Sequence, residues 1–380
     1  MLSYYSPDTP DTPHTSPNPQ SPIPSPQFPV SGGITLINPL AEVKPDPSIA
    51  ALPKVDLHVH QEWSPRLDRL LARREGRSPY NWHDWAEQLI TQIPPGMPRL
   101  QKLAQVFPAT QEANAKPENF IARIEDLLEE AAADGAILVE VRFGNEDVLR
   151  PDLMTLFREA ERRVQVRYPS LRAEAVFILI LSRFESDRLN HLVKACIQAV
   201  DEGLGGIDFL YKPYDTEADW TTAYQIAEQA ASAGLGITAH AGEFSSANIA
   251  AALRVPGLTR IGHATHAISD PHVFDLLAKS GVTVECSLSC NVLLGAVSSY
   301  TKHPIRQFVE SGIPVVLCTD NPVQVCTTIG REYTIAHALG FSTNELLDVT
   351  RHAIQVAFTS PQRRNELLNE LNKWEDTESS

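Results

Sequence analysis

Positive charge is scarce in this chain: 32 Lys and Arg stand against 47 Asp and Glu over 380 residues, a formal net charge of -15 at pH 7. A surface of that sign repels phosphate backbones, so no nucleic-acid partner is expected. Cysteine is scarcer still. The five cysteines, Cys196, Cys286, Cys290, Cys318 and Cys326, show no CxxC spacing, so neither a disulfide framework nor a zinc finger is expected, and a reduced, cytoplasmic setting follows. No run of about 18 consecutive apolar residues occurs, so no membrane span is expected. No Lys or Arg precedes Lys44, and the first 40 positions hold no apolar core of a secretory signal. Neither a secretory nor a transit segment is expected. The 43% apolar and 21% charged residues are the composition of a globular protein and exclude disorder throughout.

Proline, by contrast, is concentrated: nine of the 29 fall in the first 29 residues, interleaved with Ser, Thr, Asp and Asn. Residues 1–50 are expected to form a disordered, partly polyproline II tail, because too little apolar surface is present to offset the entropy of ordering it. Such a tail could serve as an SH3-type ligand, although no flanking Arg supports that use.

From Lys54 onward, short runs rich in Val, Ile and Leu alternate with longer amphipathic stretches, the sequence form of βα units around a parallel sheet. Eight runs qualify: 54–60, 136–143, 173–183, 206–211, 236–240, 260–263, 281–286 and 314–319. Helices are expected over 117–133, 153–168, 220–233 and 303–311, and two more, over 342–358 and 362–374, close the outer layer. Residues 51–380 are therefore expected to form a (β/α)8 TIM barrel, whose active sites lie at the C-terminal ends of the strands. The surplus length falls between the first and second runs. Residues 64–131 are expected to be a helical insertion near the mouth, with helices over 65–74, 81–93 and 97–107.

The first run, Val55-Asp-Leu-His-Val-His60, puts His58 and His60 on one face of a strand. Neutral imidazoles are common transition-metal ligands, but one HxH pair is weak evidence alone. Three further runs end on polar groups: the fifth with His240 and Glu243, the sixth with His263, and the eighth with Asp320 before a turn signal. If the barrel closes, His58, His60, His240 and Asp320 converge as three nitrogens and a carboxylate oxygen, and Glu243 and His263 remain for proton transfer. Four such groups pointing into an apolar barrel with no ligand would be costly. A metal site of hydrolytic type follows. A divalent cation makes hydroxide available near pH 7, His263 can deprotonate or orient the water, and Glu243 can give a proton to a ring nitrogen. To hold that proton, Glu243 needs a water-poor pocket or neighbouring negative charge.

The motifs Lys54 to His60, His240-Ala-Gly-Glu243, Arg260-Ile-Gly-His263 and Thr319-Asp-Asn-Pro322, in that order, resemble the adenosine deaminase family of zinc-dependent amidohydrolases over roughly residues 53 to 360. Leu293 to Val297, His303-Pro-Ile-Arg306 and Glu332-Tyr333 add to the resemblance. It implies one Zn2+ per chain on His58, His60, His240 and Asp320, hydroxide attack at C6 of an aminopurine, proton donation by Glu243 to N1, help from His263, and loss of ammonia. Asp320 would also accept a hydrogen bond from the hydroxide. The implied substrate is a small molecule, adenosine or a related 6-aminopurine nucleoside.

The departures from the family fall where the substrate is read. Asn321 replaces an aspartate that meets the purine N7, and an amide can still donate there. Glu62 stands where a carboxylate commonly meets the ribose. Tyr211 replaces a glycine whose backbone approaches the purine, so it is expected to narrow or reshape the pocket, and Ser287-Leu288 replaces Cys-Pro. Tyr211 and Asn321 motivate the alternative of a modified aminopurine or another aminated heterocycle. A catalytically silent binding protein is the reading from a different class. His60-Gln-Glu62 matches half of the signature of the cytidine-type zinc deaminases, but the PCxxC half is missing. His266, His272, His337 and His352 receive no role, and Cys286 and Cys318 read as small buried hydrophobes. Oligomeric state leaves no trace in the sequence.

Overall fold

The computed structural model describes residues 40, 46–62, 68, 72, 76, 78–105, 115–144, 147–213 and 215–378. Eight strands succeed one another as neighbours in a single parallel sheet. They are β1 (Lys54–His60), β2 (Ala136–Phe143), β3 (Arg172–Ile180), β4 (Leu204–Leu210), β5 (Gly236–Ala241), β6 (Leu258–His263), β7 (Thr283–Cys286) and β8 (Val315–Leu317). The ring closes next to the site: Val59 pairs with Asp320, His60 N donates to the Asp320 carbonyl at 2.7 Å, and Asp320 N donates to the His58 carbonyl at 2.8 Å. The chain is a (β/α)8 barrel.

Parallel neighbours need long crossovers, and helices supply them on the outer face. With both faces covered, the strands read as near-continuous apolar runs; β2, AILVEVRF, is buried at every position. The helices obey local end signals. Asp270 accepts hydrogen bonds from the backbone of His272 and Val273 ahead of Pro271–Ser280, and Ser342 with Glu345 forms a capping box on Thr343–Val356. Apolar side chains fill the layer between sheet and helices, where Phe143 stacks on Phe120 and meets Phe157 edge-on.

Three expectations need adjusting. The third run ends as a strand at Ile180, and Leu181–Arg183 wind into a 3-10 turn. Most of the expected tail lies outside the described residues, as does most of the helix expected over 65–74, but Pro47–Ala51 forms a helix capped by Asp46, with Ile49 fully buried. Within the expected insertion, Pro117–Ala133 packs on β2 and on the helix Leu153–Gln165 as part of the outer ring. Among the described residues of the insertion, Met97–Ala104 reaches the mouth and contributes Leu100, Leu103 and Ala104 to the cavity above the strand ends.

Inside the barrel, charged side chains replace the aliphatic layers such barrels commonly have. Glu140, Arg142, Asp208, Arg260 and Glu285 are all 0% exposed. They survive burial because each is paired. Arg142 bridges Asp208 (2.6 Å) and Glu285 (2.7 Å), while Arg260 bridges Glu285 (2.8 Å) and Glu140 (2.5 Å). This lattice forms the floor of the site.

Candidate metal-dependent active site

Strand geometry sets the first pair of candidate ligands. His58 and His60 sit two residues apart on β1 and both turn into the barrel, their Nε2 atoms 3.3 Å from each other. His240 enters from the end of β5, its ring centroid 4.5 Å from that of His58 and 5.5 Å from that of His60. Asp320 brings Oδ1 to 3.1 Å from His60 Nε2 and 3.7 Å from His58 Nε2. Its backbone lies in the left-handed region, at φ 63°, as does that of His263 at φ 71°. Non-glycine residues there cost of order 1–3 kcal/mol each, and the turn after the strand holds both in place.

The floor fixes which nitrogens face the centre. Glu285 accepts from His58 Nδ1 at 2.8 Å, and Asp208 accepts from His240 Nδ1 at 2.9 Å. With their ring hydrogens committed to carboxylates, both histidines present lone pairs at Nε2, as metal-ligating histidines do. The cluster also attracts positive charge. Burial disfavours a charged His60, but the hydrogen bond to Asp320 and the nearby Glu62 carboxylate outweigh it and push the pKa up to about 10. Burial would raise the Asp320 carboxyl, yet the His60 hydrogen bond and charge hold it well below the usual range. Burial, reinforced by Arg142, keeps His58 neutral. Ligand atoms of His58, His60 and Asp320 lie within 4.8 Å of one another, as do those of His58, His240 and His263, and such imidazole nitrogens with a carboxylate oxygen suit a divalent cation of zinc type.

Glu243 and His263 stand beside this cluster, both 1% exposed, with His263 Nε2 3.8 Å from Glu243 Oε2. Gly242 makes the approach of Glu243 possible: at φ 87°, a Cβ there would lie 2.8 Å from the Ala264 backbone. Burial lowers the His263 pKa and keeps its ring neutral.

A cavity of about 620 Å³ opens above these groups. Leu100, Leu103, Ile178, Ile180 and Leu210 form an apolar wall, and Glu62, Lys212, Glu243, His263, Asp320 and Asn321 supply the polar positions. Glu62 Oε2 has no hydrogen-bond partner and lies 3.6 Å from His60 Nδ1. Asn321 lines the cavity while donating to Asp320 Oδ1 at 2.7 Å. Tyr211 does not line it, contrary to the sequence reading. Alternation along β4 sends Asp208, Leu210 and Lys212 inward, so Tyr211 turns outward and packs on Trp220, ring centroids 5.0 Å apart.

Further residues that no motif singles out also meet the site. Lys212 reaches the cavity one position beyond Tyr211, and burial lowers its ammonium to about 8. Asp208 and Glu285 were acids inside predicted strands, a signal that inward-facing charge could have exposed. Asn291 donates to Glu243 Oε1 at 3.2 Å and lies 3.0 Å from His263 Nδ1, with His303 behind it at 3.2 Å. His303 belongs to a segment that only adds to the family resemblance, and Asn291 to the segment that carries the Ser287-Leu288 departure.

Comparison with known proteins agrees with this geometry. The family model described as adenosine deaminase matches residues 53–374. An adenine deaminase from Rhizobium leguminosarum bv. trifolii is 28% identical over 346 residues, covering 84% of this chain and 99% of the relative. Among solved structures, the N6-methyl-AMP deaminase from Arabidopsis thaliana superposes with a TM-score of 0.68 at 22% identity, covering 86% of this chain and 98% of that one. A zinc-bound amidohydrolase from Burkholderia ambifaria does so with a TM-score of 0.66 at 18% identity, covering 87% and 93%. The match of the family model across most of the chain makes this protein a hydrolytic deaminase belonging to the adenosine deaminase family.

Proposed function

We propose that the protein binds one zinc ion per chain through His58, His60, His240 and Asp320, and hydrolyses the exocyclic amine of adenosine or a related 6-aminopurine nucleoside. The products are the 6-oxo purine and ammonia, with water supplying the oxygen. The observation that carries this reading is the orientation of His58 and His240, whose Nδ1 atoms are bound by Glu285 and Asp208 so that both Nε2 lone pairs are left open, with His58 Nε2 3.7 Å from Asp320 Oδ1 and the His240 ring 4.5 Å from that of His58. Bound there, a divalent cation supplies hydroxide at neutral pH.

The chain's own residues do the rest. The apolar wall of Leu100, Leu103, Ile178 and Leu210 holds the ring and excludes water. Glu243 gives its proton to N1, which makes C6 electrophilic, and His263 holds the attacking oxygen by a hydrogen bond. Asp320 accepts the hydrogen on that oxygen. Asn321 donates to N7, and Glu62, which lines the cavity, accepts from a ribose hydroxyl.

A second reading, free adenine as substrate, is favoured by the Rhizobium adenine deaminase, which the chain matches over 99% of its length. Lys212, a cation at the mouth, also makes a nucleotide worth including, since the Arabidopsis neighbour is an N6-methyl-AMP deaminase. Amine release should be measured, as ammonia from adenine, adenosine, 2'-deoxyadenosine and AMP and as methylamine from N6-methyl-AMP, together with metal content. The highest kcat/KM on adenosine and one zinc per chain are expected. Inactivity on adenosine with turnover of adenine or a nucleotide moves the assignment to that substrate, and silence on all five rejects the aminopurine reading.

A further inference from the structure

Asn291 touches both groups that handle hydrogen, and the direction of each of its bonds can be worked out from a backbone amide two residues past His303. Ile305 N–H donates to His303 Nδ1 at 3.2 Å. A backbone N–H can only donate, so His303 Nδ1 carries a lone pair and the ring hydrogen sits on Nε2. Burial pushes the His303 pKa down to about 3, so the ring stays neutral. Its Nε2–H therefore donates to Asn291 Oδ1 at 3.2 Å.

That bond orients the amide. With Oδ1 turned to His303, both Nδ2 hydrogens point at the site, one to Glu243 Oε1 at 3.2 Å and the other to His263 Nδ1 at 3.0 Å. The flipped amide would set its carbonyl oxygen against the Glu243 carboxylate and its NH2 against the His303 N–H, two repulsive contacts. Asn291 is 0% exposed, so no water relieves them. In this arrangement the amide's two donors and its acceptor are all engaged.

We infer that Asn291, locked by His303, is a positioning residue that places the ring hydrogen of His263 on Nε2 and the acid hydrogen of Glu243 on Oε2. His263 Nδ1 accepts from Asn291, so the neutral ring carries its hydrogen on Nε2. Oε1 of Glu243 is occupied as an acceptor, which leaves Oε2 to carry the proton. These two atoms lie 3.8 Å apart beside the cavity. His263 thus offers a hydrogen to the attacking oxygen and orients it; it does not take a proton from it. Glu243 delivers its proton from Oε2. The roles of the two groups rest on the proposed function, whereas the placement of their hydrogens is observable without any substrate.

The test is nitrogen-15 NMR of the zinc-loaded enzyme labelled at histidine, with the His263 signals assigned by their loss in His263→Gln. The Nε2–H form of His263 is expected in the unaltered enzyme; an Nδ1–H form overturns the inference whether or not any purine is turned over. Asn291→Asp keeps the shape but replaces a donor with an acceptor, so the hydrogen should move to Nδ1, and kcat should fall by about 10²-fold or more, the usual worth of a positioned proton-transfer group, with zinc content and KM unchanged. His303→Gln retains an N–H toward Asn291 and should keep most of the rate, whereas His303→Leu should lower kcat and broaden the pH profile. Full activity in Asn291→Asp, or equal effects of the two His303 variants in folded protein, would show that packing alone places these groups.

Discussion

Arg142→Lys tests whether the two metal-facing imidazoles are set by one buried side chain. The Arg142 fork reaches Asp208 Oδ2 at 2.6 Å through Nε and Glu285 Oε2 at 2.7 Å through Nη2, and Nη1 donates to the Leu57 carbonyl, one residue before His58. Those same carboxylates hold His240 at 2.9 Å and His58 at 2.8 Å. Lysine keeps the positive charge, so neither acid is left unpaired, but a single ammonium on a shorter stem cannot span both. At least one charge-assisted hydrogen bond is lost, about 1.5–3 kcal/mol of stability. One of the two imidazoles then loses its support, which typically lowers metal affinity by about 10- to 100-fold. Urea unfolding measures the first effect and competition for zinc with a chromophoric chelator the second. A methionine substitution would be less informative, since stripping the charge from a buried pair costs about 3–5 kcal/mol by itself. Unfolding and zinc affinity both equal to those of the unaltered protein would mean that the strands alone hold Asp208 and Glu285, and the reasoning from the clamp would fail.

His240→Ala removes a nitrogen at the centre of the cluster and should abolish both zinc binding and activity; a metal-loaded, active variant would contradict the ligand assignment. Glu243→Gln should retain zinc, since Glu243 makes none of the ligand contacts, yet lose about 10²- to 10⁴-fold in kcat for want of a proton to give, and an undiminished rate would remove Glu243 from the chemistry. His303 makes stability pH-dependent, because burial depresses its folded pKa to about 3 from an ordinary value of about 6.5. The unfolded chain binds the extra proton as pH falls, so stability present at pH 7.5 is lost below about 6.5, by roughly 2 kcal/mol at pH 5 from this group. His303→Gln should flatten that part of the urea-unfolding profile, and an unchanged slope would refute a buried neutral imidazole.

The barrel was legible because strands covered on both faces leave near-continuous apolar runs, and the candidate site residues were legible because a polar group ends such a run: His60 on β1, His240 on β5, His263 on β6 and Asp320 just past β8. Strand ends were less so, since Leu181 prolongs the apolar run of β3 although its ladder has stopped and Leu181–Arg183 form a 3-10 turn. Reading strand ends has a second limit, visible at Tyr211 and Lys212. Asp208 binds His240 inside the barrel, and counting by two from it sends Leu210 and Lys212 to the cavity and Tyr211 to the helices. Substitution of a family glycine drew attention to the tyrosine, but the pleat decides which neighbour meets the ligand. Asn291 lies beyond any such rule. It sits in the helix Leu288–Leu294 that follows β7, so neither strand alternation nor spacing from another motif singles it out. Its meaning comes from three partners, Glu243, His263 and His303, that are 48, 28 and 12 residues away. Groups that grip a cation must point at one centre and leave a pattern at strand ends; groups that decide where a hydrogen sits need only touch those that move it, and any element packed over the mouth can supply them.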